Sequence, residues 1–314
     1  MRITMRELVV VVALVFGISS HAWAQLKGHY IPGFMGLESG SQPPPSVMLA
    51  VPIYFYPTDT IKDDNGDSAG AHPSIRASFT GISMLWVTKV KVLGANVGFQ
   101  AVPVDWMKSR IEGPSLDVPG SFGFSDINFA PVWLGWHTPR ADVTAGWSFF
   151  VPTGKWELGG TDNAGLGMWS NDFQGGTTVH LDNRHAWTTS LLATYEIHSS
   201  KSDSDIKAGD ILTLEGGTGR MFMKPVAGTK IPMITNVGVV YYGQFKVTGD
   251  TGGSPLITGP LAGDKDRVFA VGGEVNVFLP KAKMLLGGRI LPEFGARNRT
   301  QGTTIMITAG YKVK

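Results

Sequence analysis

The stretch Val143-Thr144-Ala145-Gly146-Trp147-Ser148-Phe149-Phe150-Val151 decides the fold. Val143, Ala145 and Trp147 alternate with Asp142, Thr144 and Ser148. In an extended chain, neighbouring side chains point to opposite faces, so this is a strand with one apolar and one polar side. Trp187-Thr188-Thr189-Ser190-Leu191-Leu192-Ala193-Thr194-Tyr195 repeats the rhythm. Such strands, repeated along one chain, can close on themselves with one face in lipid and the other around a lumen.

Composition agrees. Of 314 residues, 43% are apolar and only 17% charged, with 41 glycines and no cysteine. A barrel combines these values because only every second strand residue meets lipid. The formal charge is +2, which leaves no polybasic surface for nucleic acid. Without cysteine there is no disulfide, no thiolate metal site and no acylated N-terminal cysteine.

Residues 1–24 read as a signal peptide. Arg2 and Arg6 precede an apolar core from Leu8 to Ile18, and Ala22-Trp23-Ala24 places small residues where a cleavage enzyme reads them. The core is well short of the ~20 residues that a membrane-spanning helix needs. Nothing later is long and apolar enough for such a helix, so any span is made of strands. Cleavage after Ala24 and export are expected. Residues 25–46 carry Gly28, Gly33, Gly36, Gly40 and Pro43-Pro44-Pro45. The prolines donate no ladder hydrogen bonds and favour a stiff extended chain. This segment is expected to be a periplasmic lead-in, tucked into the barrel mouth. Tyr30, Phe34, Met35 and Leu37 are its plug candidates, because they are too apolar to lie free in water.

From 47 to 314 the pattern predicts an all-β, antiparallel transmembrane barrel of about twelve strands. They fall near 47–57, 74–88, 90–106, 122–137, 140–152, 167–180, 186–198, 209–223, 233–247, 267–279, 283–295 and 302–313. Connectors near 58–73, 107–121, 153–166, 199–208 and 248–266 are long and polar, and most of those between are short. Long outer loops and short periplasmic turns give that alternation. Trp133, Trp136, Trp147, Trp156, Trp169 and Trp187 cluster toward strand ends, as interfacial aromatic residues do.

Taking the more apolar face of each strand as outward gives the lumen side. Its charged and amide candidates are Arg76 on the second strand, Asn96 and Gln100 on the third, Asp142 on the fifth and Glu196 on the seventh. Asn236 and Gln244 follow on the ninth, Glu274 and Asn276 on the tenth, and Arg289 and Glu293 on the eleventh. They form either an internal network of satisfied polar groups or a polar path with charge selectivity. Glu274 and Arg289, either side of a tight turn at 280–283, are expected opposite each other.

Motifs for other chemistry are weak. The histidines do not form a metal-ligand pair. In Asp63-Asp64-Asn65-Gly66-Asp67, Ser68 stands where a calcium loop anchored at Asp63 needs glycine. Gly216-Gly217-Thr218-Gly219-Arg220 lacks the Lys-Ser/Thr of a phosphate loop, and there is no Gly-x-Ser-x-Gly elbow. The chain therefore reads as no enzyme, with no cofactor and no metal.

Specific words add a resemblance. His29-Tyr30-Ile31-Pro32-Gly33 before Pro43-Pro44-Pro45, Asp126-Ile127, Trp136-His137 and Phe150-Val151-Pro152-Thr153-Gly154 stand in order. Trp187 with Tyr195-Glu196, then Ala208-Gly209-Asp210, follow them. In that order they resemble the MetA-pathway of phenol degradation family of outer-membrane transporters. The resemblance implies a β-barrel with a part in uptake of aromatic or other hydrophobic compounds, and carries over no binding residues. The expected function is passive uptake of small hydrophobic or aromatic solutes across the outer membrane of a Gram-negative bacterium. The expected partners are outer-membrane lipids, lipopolysaccharide, the barrel assembly machinery and the solute. The alternatives are a plugged structural or adhesion barrel acting through its outer loops, and an outer-membrane lipid-modifying enzyme.

Overall fold

In the computed structural model the described residues are 28–70, 72–113, 116–118, 120–158, 160, 162–252 and 265–313. The expected signal peptide, 1–24, lies outside them. Twelve long strands follow one another: β1 (Ser46–Thr58), β2 (Ser74–Val92), β3 (Ala95–Gly113), β4 (Ile127–His137), β5 (Ala141–Val151), β6 (Ser170–His180), β7 (Trp187–His198), β8 (Ile211–Lys224), β9 (Met233–Lys246), β10 (Arg267–Leu279), β11 (Met284–Arg297) and β12 (Thr303–Lys312). Each pairs antiparallel with its neighbour in sequence. β1 also pairs with β12, from Met48 opposite Lys312 to Phe55 opposite Ile305. The wall of twelve long strands closes, so none of these strands is left as an unpaired edge, which is what hydrocarbon demands.

Alternation sorts the two faces. On β9, Val237 and Val239 are exposed while Asn236, Val240, Tyr242 and Gln244 are buried. On β5, Val143 and Trp147 are exposed and Thr144 and Ser148 buried. Leu49, Val51, Met84, Trp86, Val271, Val275, Ile290 and Ile307 continue the exposed apolar surface round the wall. A continuous apolar belt of this kind is a lipid-facing surface. One end of the barrel carries the short turns and the other the long connectors. At the loop end Ile61–Lys62 pairs with Arg299–Thr300, clipping two connectors together.

Two expectations need correction. The second connector lies at Leu93-Gly94, not at 88–89. Both residues have positive φ, 49° and 84°, the backbone of a two-residue hairpin turn. The Thr88 hydroxyl donates to Val97 O (2.9 Å), and Asn96 Nδ2 donates to Thr88 O (3.0 Å). These bonds carry the pairing past a register shift between Val87 and Lys91. The second correction is Arg76, which is exposed on the outer face with no place in the lumen. Its neighbour Ile75 is buried, and Ala77 and Phe79 pack against the internal cluster of Ile31, Tyr54, Tyr56, Met107, Ala164 and Met306. Near the loops the inner wall is itself apolar, so taking the apolar face as outward inverts β2.

Residues 28–45 do not join the sheet. They run through the interior against inward-facing side chains of the wall, and most of them are buried.

Candidate functional site

The interior is organised around the N-terminal segment, and carboxylates from four strands hold it. Glu196 on β7 accepts the His29 amide at 2.6 Å and the Tyr30 amide at 3.3 Å. Glu215 on β8 accepts the Tyr30 hydroxyl at 2.7 Å and the Gly33 and Met35 amides at 2.5 and 2.9 Å. Glu274 on β10 accepts the Leu37 amide at 3.2 Å, and Arg289 on β11 donates to the carbonyls of Gly33 and Phe34 at 2.7 and 2.8 Å. Further along, Ser41 donates to Asp142 on β5 (2.7 Å), and Gln42 Nε2 to Trp133 O on β4 (2.8 Å). A coil without ladder partners must satisfy its amides on side chains, and the inner wall supplies them.

Packing completes the seat. Gly217, Gly219 and Gly238 form a groove, and a Cβ on any of them would press on Leu37. Gly36 has φ +63°, and a Cβ there would overlap the Glu274 and Arg289 side chains. Only a glycine takes this backbone freely and lets it pass so close to the ion pair.

A second anchor lies at the loop end. His29 Nε2 is 2.9 Å from Asp126 Oδ2 and Nδ1 is 2.7 Å from Ser170 Oγ, with the ring stacked 4.6 Å over Phe150. With Asp126 ionised, Nε2 donates to it. Burial by itself raises the Asp126 carboxyl. The His29 contact and the amides of Leu166 and Gly154 outweigh it and hold the group below the usual aspartate range. The residue types are those of a nucleophilic triad, but the aspartate takes the nitrogen opposite to the usual one and Ser170 is fully buried. The geometry is that of a tether. The connector 152–169 folds inward here, with Ala164 in the interior cluster and Leu166 close beside it. Lys201, from the next loop, donates to Leu166 O (2.8 Å) with Nζ 4.3 Å over the Trp156 ring. Burial brings its ammonium down to about 8, against the pull of Asp126 and Asp250.

Among the described residues, a cavity lies on either side of the segment. The loop-side cavity, about 110 Å³, is walled by Ile31, Phe34, Phe79, Met107, Phe150 and Leu166 and touches Gln100. The turn-side cavity, about 300 Å³, lies beside Leu37, Glu38, Asn236, Glu274, Asn276 and Arg289. Met35 borders both. Burial raises the Glu38 carboxyl, and the nearby Asp142 and Glu274 raise it further.

The anticipated residues thus divide. Glu196, Glu274, Arg289 and Asp142 grip the segment, as do the anticipated Tyr30 and Leu37 from the other side. Gln100, Asn236 and Asn276 border cavities. Asn96 braces the β2–β3 turn. Gln244 and Glu293 belong to an internal network. There Glu293 accepts Tyr56 and Tyr242 hydroxyls at 2.6 and 2.7 Å, and Gln244 accepts Arg299 at 3.1 Å. Glu215, His29, Asp126 and Ser170 were missed. For Glu215 a signal existed: glycines two and four residues on share its face and open a groove beside it.

Residues 58–309 match the family described as MetA-pathway of phenol degradation. No curated protein matches the chain. Among solved structures, an outer-membrane channel of Pseudomonas putida F1 is similar with a TM-score of 0.73 at 13% identity, over 90% of this chain and 100% of that one. The translocator domain of a Neisseria meningitidis autotransporter gives 0.51 at 10% identity, over 95% and 99%. The β-domain of a Bordetella autotransporter gives 0.51 at 8%, over 85% and 99%. These likenesses establish the fold, that of an outer-membrane barrel.

Proposed function

Because the chain belongs to the MetA-pathway of phenol degradation family, we propose that it is a passive outer-membrane channel for small hydrophobic or aromatic compounds, gated by its own N-terminal segment. One observation carries the reading. An apolar cavity facing the loops and a larger, more polar one facing the turns are separated by residues 28–42, with Met35 bordering both. The segment is held by hydrogen bonds to side chains rather than by a β-ladder, so it can shift without breaking the barrel wall. A solute entering from the loops leaves water for an apolar pocket, a transfer worth roughly 25 cal/mol per Å² of buried apolar surface. It then leaves through the polar chamber when the segment moves. The lipid-facing belt supports outer-membrane lipids and lipopolysaccharide as its surroundings, with the barrel assembly machinery as the route there.

Deletion of residues 27–42 tests this. In planar bilayers the deleted protein should conduct more than the full chain and discriminate less among aromatic solutes, while remaining heat-modifiable on a gel. Correct assembly with unchanged conductance would leave the segment without a gating role. A plugged barrel that acts through its outer loops, the second reading, also places 28–42 inside. It requires that neither form pass aromatic compounds into liposomes.

A further inference from the structure

The loop-side cavity has apolar walls but two acceptors that the fold does not use. Asp105 on β3 and Asp172 on β6 both border it and are 3% and 1% exposed. Among the described residues, Asp105 Oδ1 and Asp172 Oδ1 have no hydrogen-bond partner. Ser148, on the neighbouring strand, satisfies Asp172 only in part. An unpaired buried acceptor is costly, and a charged one more so. Natural interiors avoid such atoms unless something else supplies the donor.

We infer that this cavity binds a single-ring hydrocarbon bearing a hydrogen-bond donor, whose hydroxyl or amino hydrogen meets Asp105 Oδ1 while the ring lies among Ile31, Phe34, Phe79, Met107 and Phe150. The inference rests on the channel reading and refines it by naming what the outer chamber selects. Size agrees: the cavity is about 110 Å³, on the order of the ~150 Å³ engineered cavity that holds benzene. Charge adds a second filter. Asp126 stands near Asp105 and Glu196 near Asp172, and His29 is committed to Asp126 at 2.9 Å. An aromatic carboxylate would bring its charge toward the carboxylates of Asp126 and Glu196, and among the described residues that line the cavity there is no lysine or arginine to receive it. The site therefore rejects it.

The test is equilibrium binding to the purified full-length protein in detergent micelles, with benzyl alcohol, methoxybenzene and benzoate as probes. All three carry one ring; only the first donates a hydrogen bond. Benzyl alcohol should bind up to about tenfold tighter than methoxybenzene, the worth of one hydrogen bond, and benzoate should not bind detectably. Asp105→Leu should weaken benzyl alcohol by a similar factor and strengthen methoxybenzene, a reversal that misfolding does not produce. If that variant fails to assemble, the wild-type order still decides. Equal binding of benzyl alcohol and methoxybenzene, or binding of benzoate, overturns the inference. A protein that conducts aromatics without donor preference loses this site but keeps the channel reading. Selective binding without conduction keeps the site and removes the channel.

Discussion

Arg289 Nε lies 3.1 Å from Glu274 Oε2, on strands that set the two residues directly opposite, and the pair grips the N-terminal segment from both of its charges. Glu274 takes the Leu37 amide and Arg289 the carbonyls of Gly33 and Phe34. The ion pair is therefore shared between the wall and the N-terminal segment. Asn276 donates to the other oxygen of Glu274 at 2.5 Å, so the carboxylate is fully engaged.

Glu274→Gln should loosen this grip. Arg289 keeps its charge and loses its counter-ion, and breaking one partner of a buried pair typically costs about 3–5 kcal/mol. Part of that cost falls on the seat of the segment. Conductance should rise and small-ion selectivity should move toward anions, read as a shift of reversal potential across a salt gradient. Unchanged reversal potential and conductance together would mean that this pair neither holds the gate nor borders the path.

The lipid-facing assignment is tested at Val239, midway along β9 and 52% exposed. Val239→Arg should destabilise the folded barrel by roughly 2–4 kcal/mol if it meets the hydrocarbon centre, measured by reversible denaturation in lipid vesicles. The native Arg76 already carries a charge on the outer face, but it sits near the loop end of β2, beside Ile75. A Val239→Arg protein as stable as the wild type would remove the hydrocarbon from that level of the wall.

Orientation follows from the loops. Asp64, Ser202 and Thr251 are exposed at the loop end, and the chain has no native cysteine. Asp64→Cys, Ser202→Cys and Thr251→Cys should each react with an impermeant maleimide on intact cells. Thr251 is preferable to its neighbour Gly252, whose φ of +77° and approach to Asp205 O leave no room for a side chain. Labelling confined to ruptured cells would invert the barrel.

Much of this molecule was legible because a strand period of two is written locally. All twelve strands are visible in the alternation, and the Glu274–Arg289 pairing follows from counting back from one tight turn. The Leu93-Gly94 turn was not legible, because leucine in the left-handed region is uncommon and the neighbouring Thr88-Lys89 looks more like a turn. The inner side of β2 misled for another reason. Alternation shows that two faces differ, not which is inside, and a lumen lined by Ile75, Ala77 and Phe79 inverts the usual sign. His29, Asp126 and Ser170 are separated by up to 141 positions in sequence, and no local pattern brings a tether of that span together. Glu215 was hidden for the opposite reason. Its glycines were read as a failed phosphate loop, whereas they seat Leu37.

Movement of the segment can be tested without altering its charges. Ser39 Oγ and Ser190 Oγ on β7 are 3.2 Å apart, both buried, one on the N-terminal segment and one on the wall. Since the chain has no native cysteine, Ser39→Cys with Ser190→Cys introduces the sole thiol pair, at a separation from which a disulfide of ~2.05 Å needs only a small adjustment. Oxidation should tie residue 39 to the barrel and suppress the passage of benzyl alcohol into liposomes, and reduction should restore it. Each single-cysteine protein should be indifferent to both treatments, which separates the tether from any effect of the oxidant. If the oxidised double variant is cross-linked on a gel yet passes solute at the reduced rate, the segment does not need to move at Ser39. Any gate would then have to lie closer to Met35, where the two cavities meet.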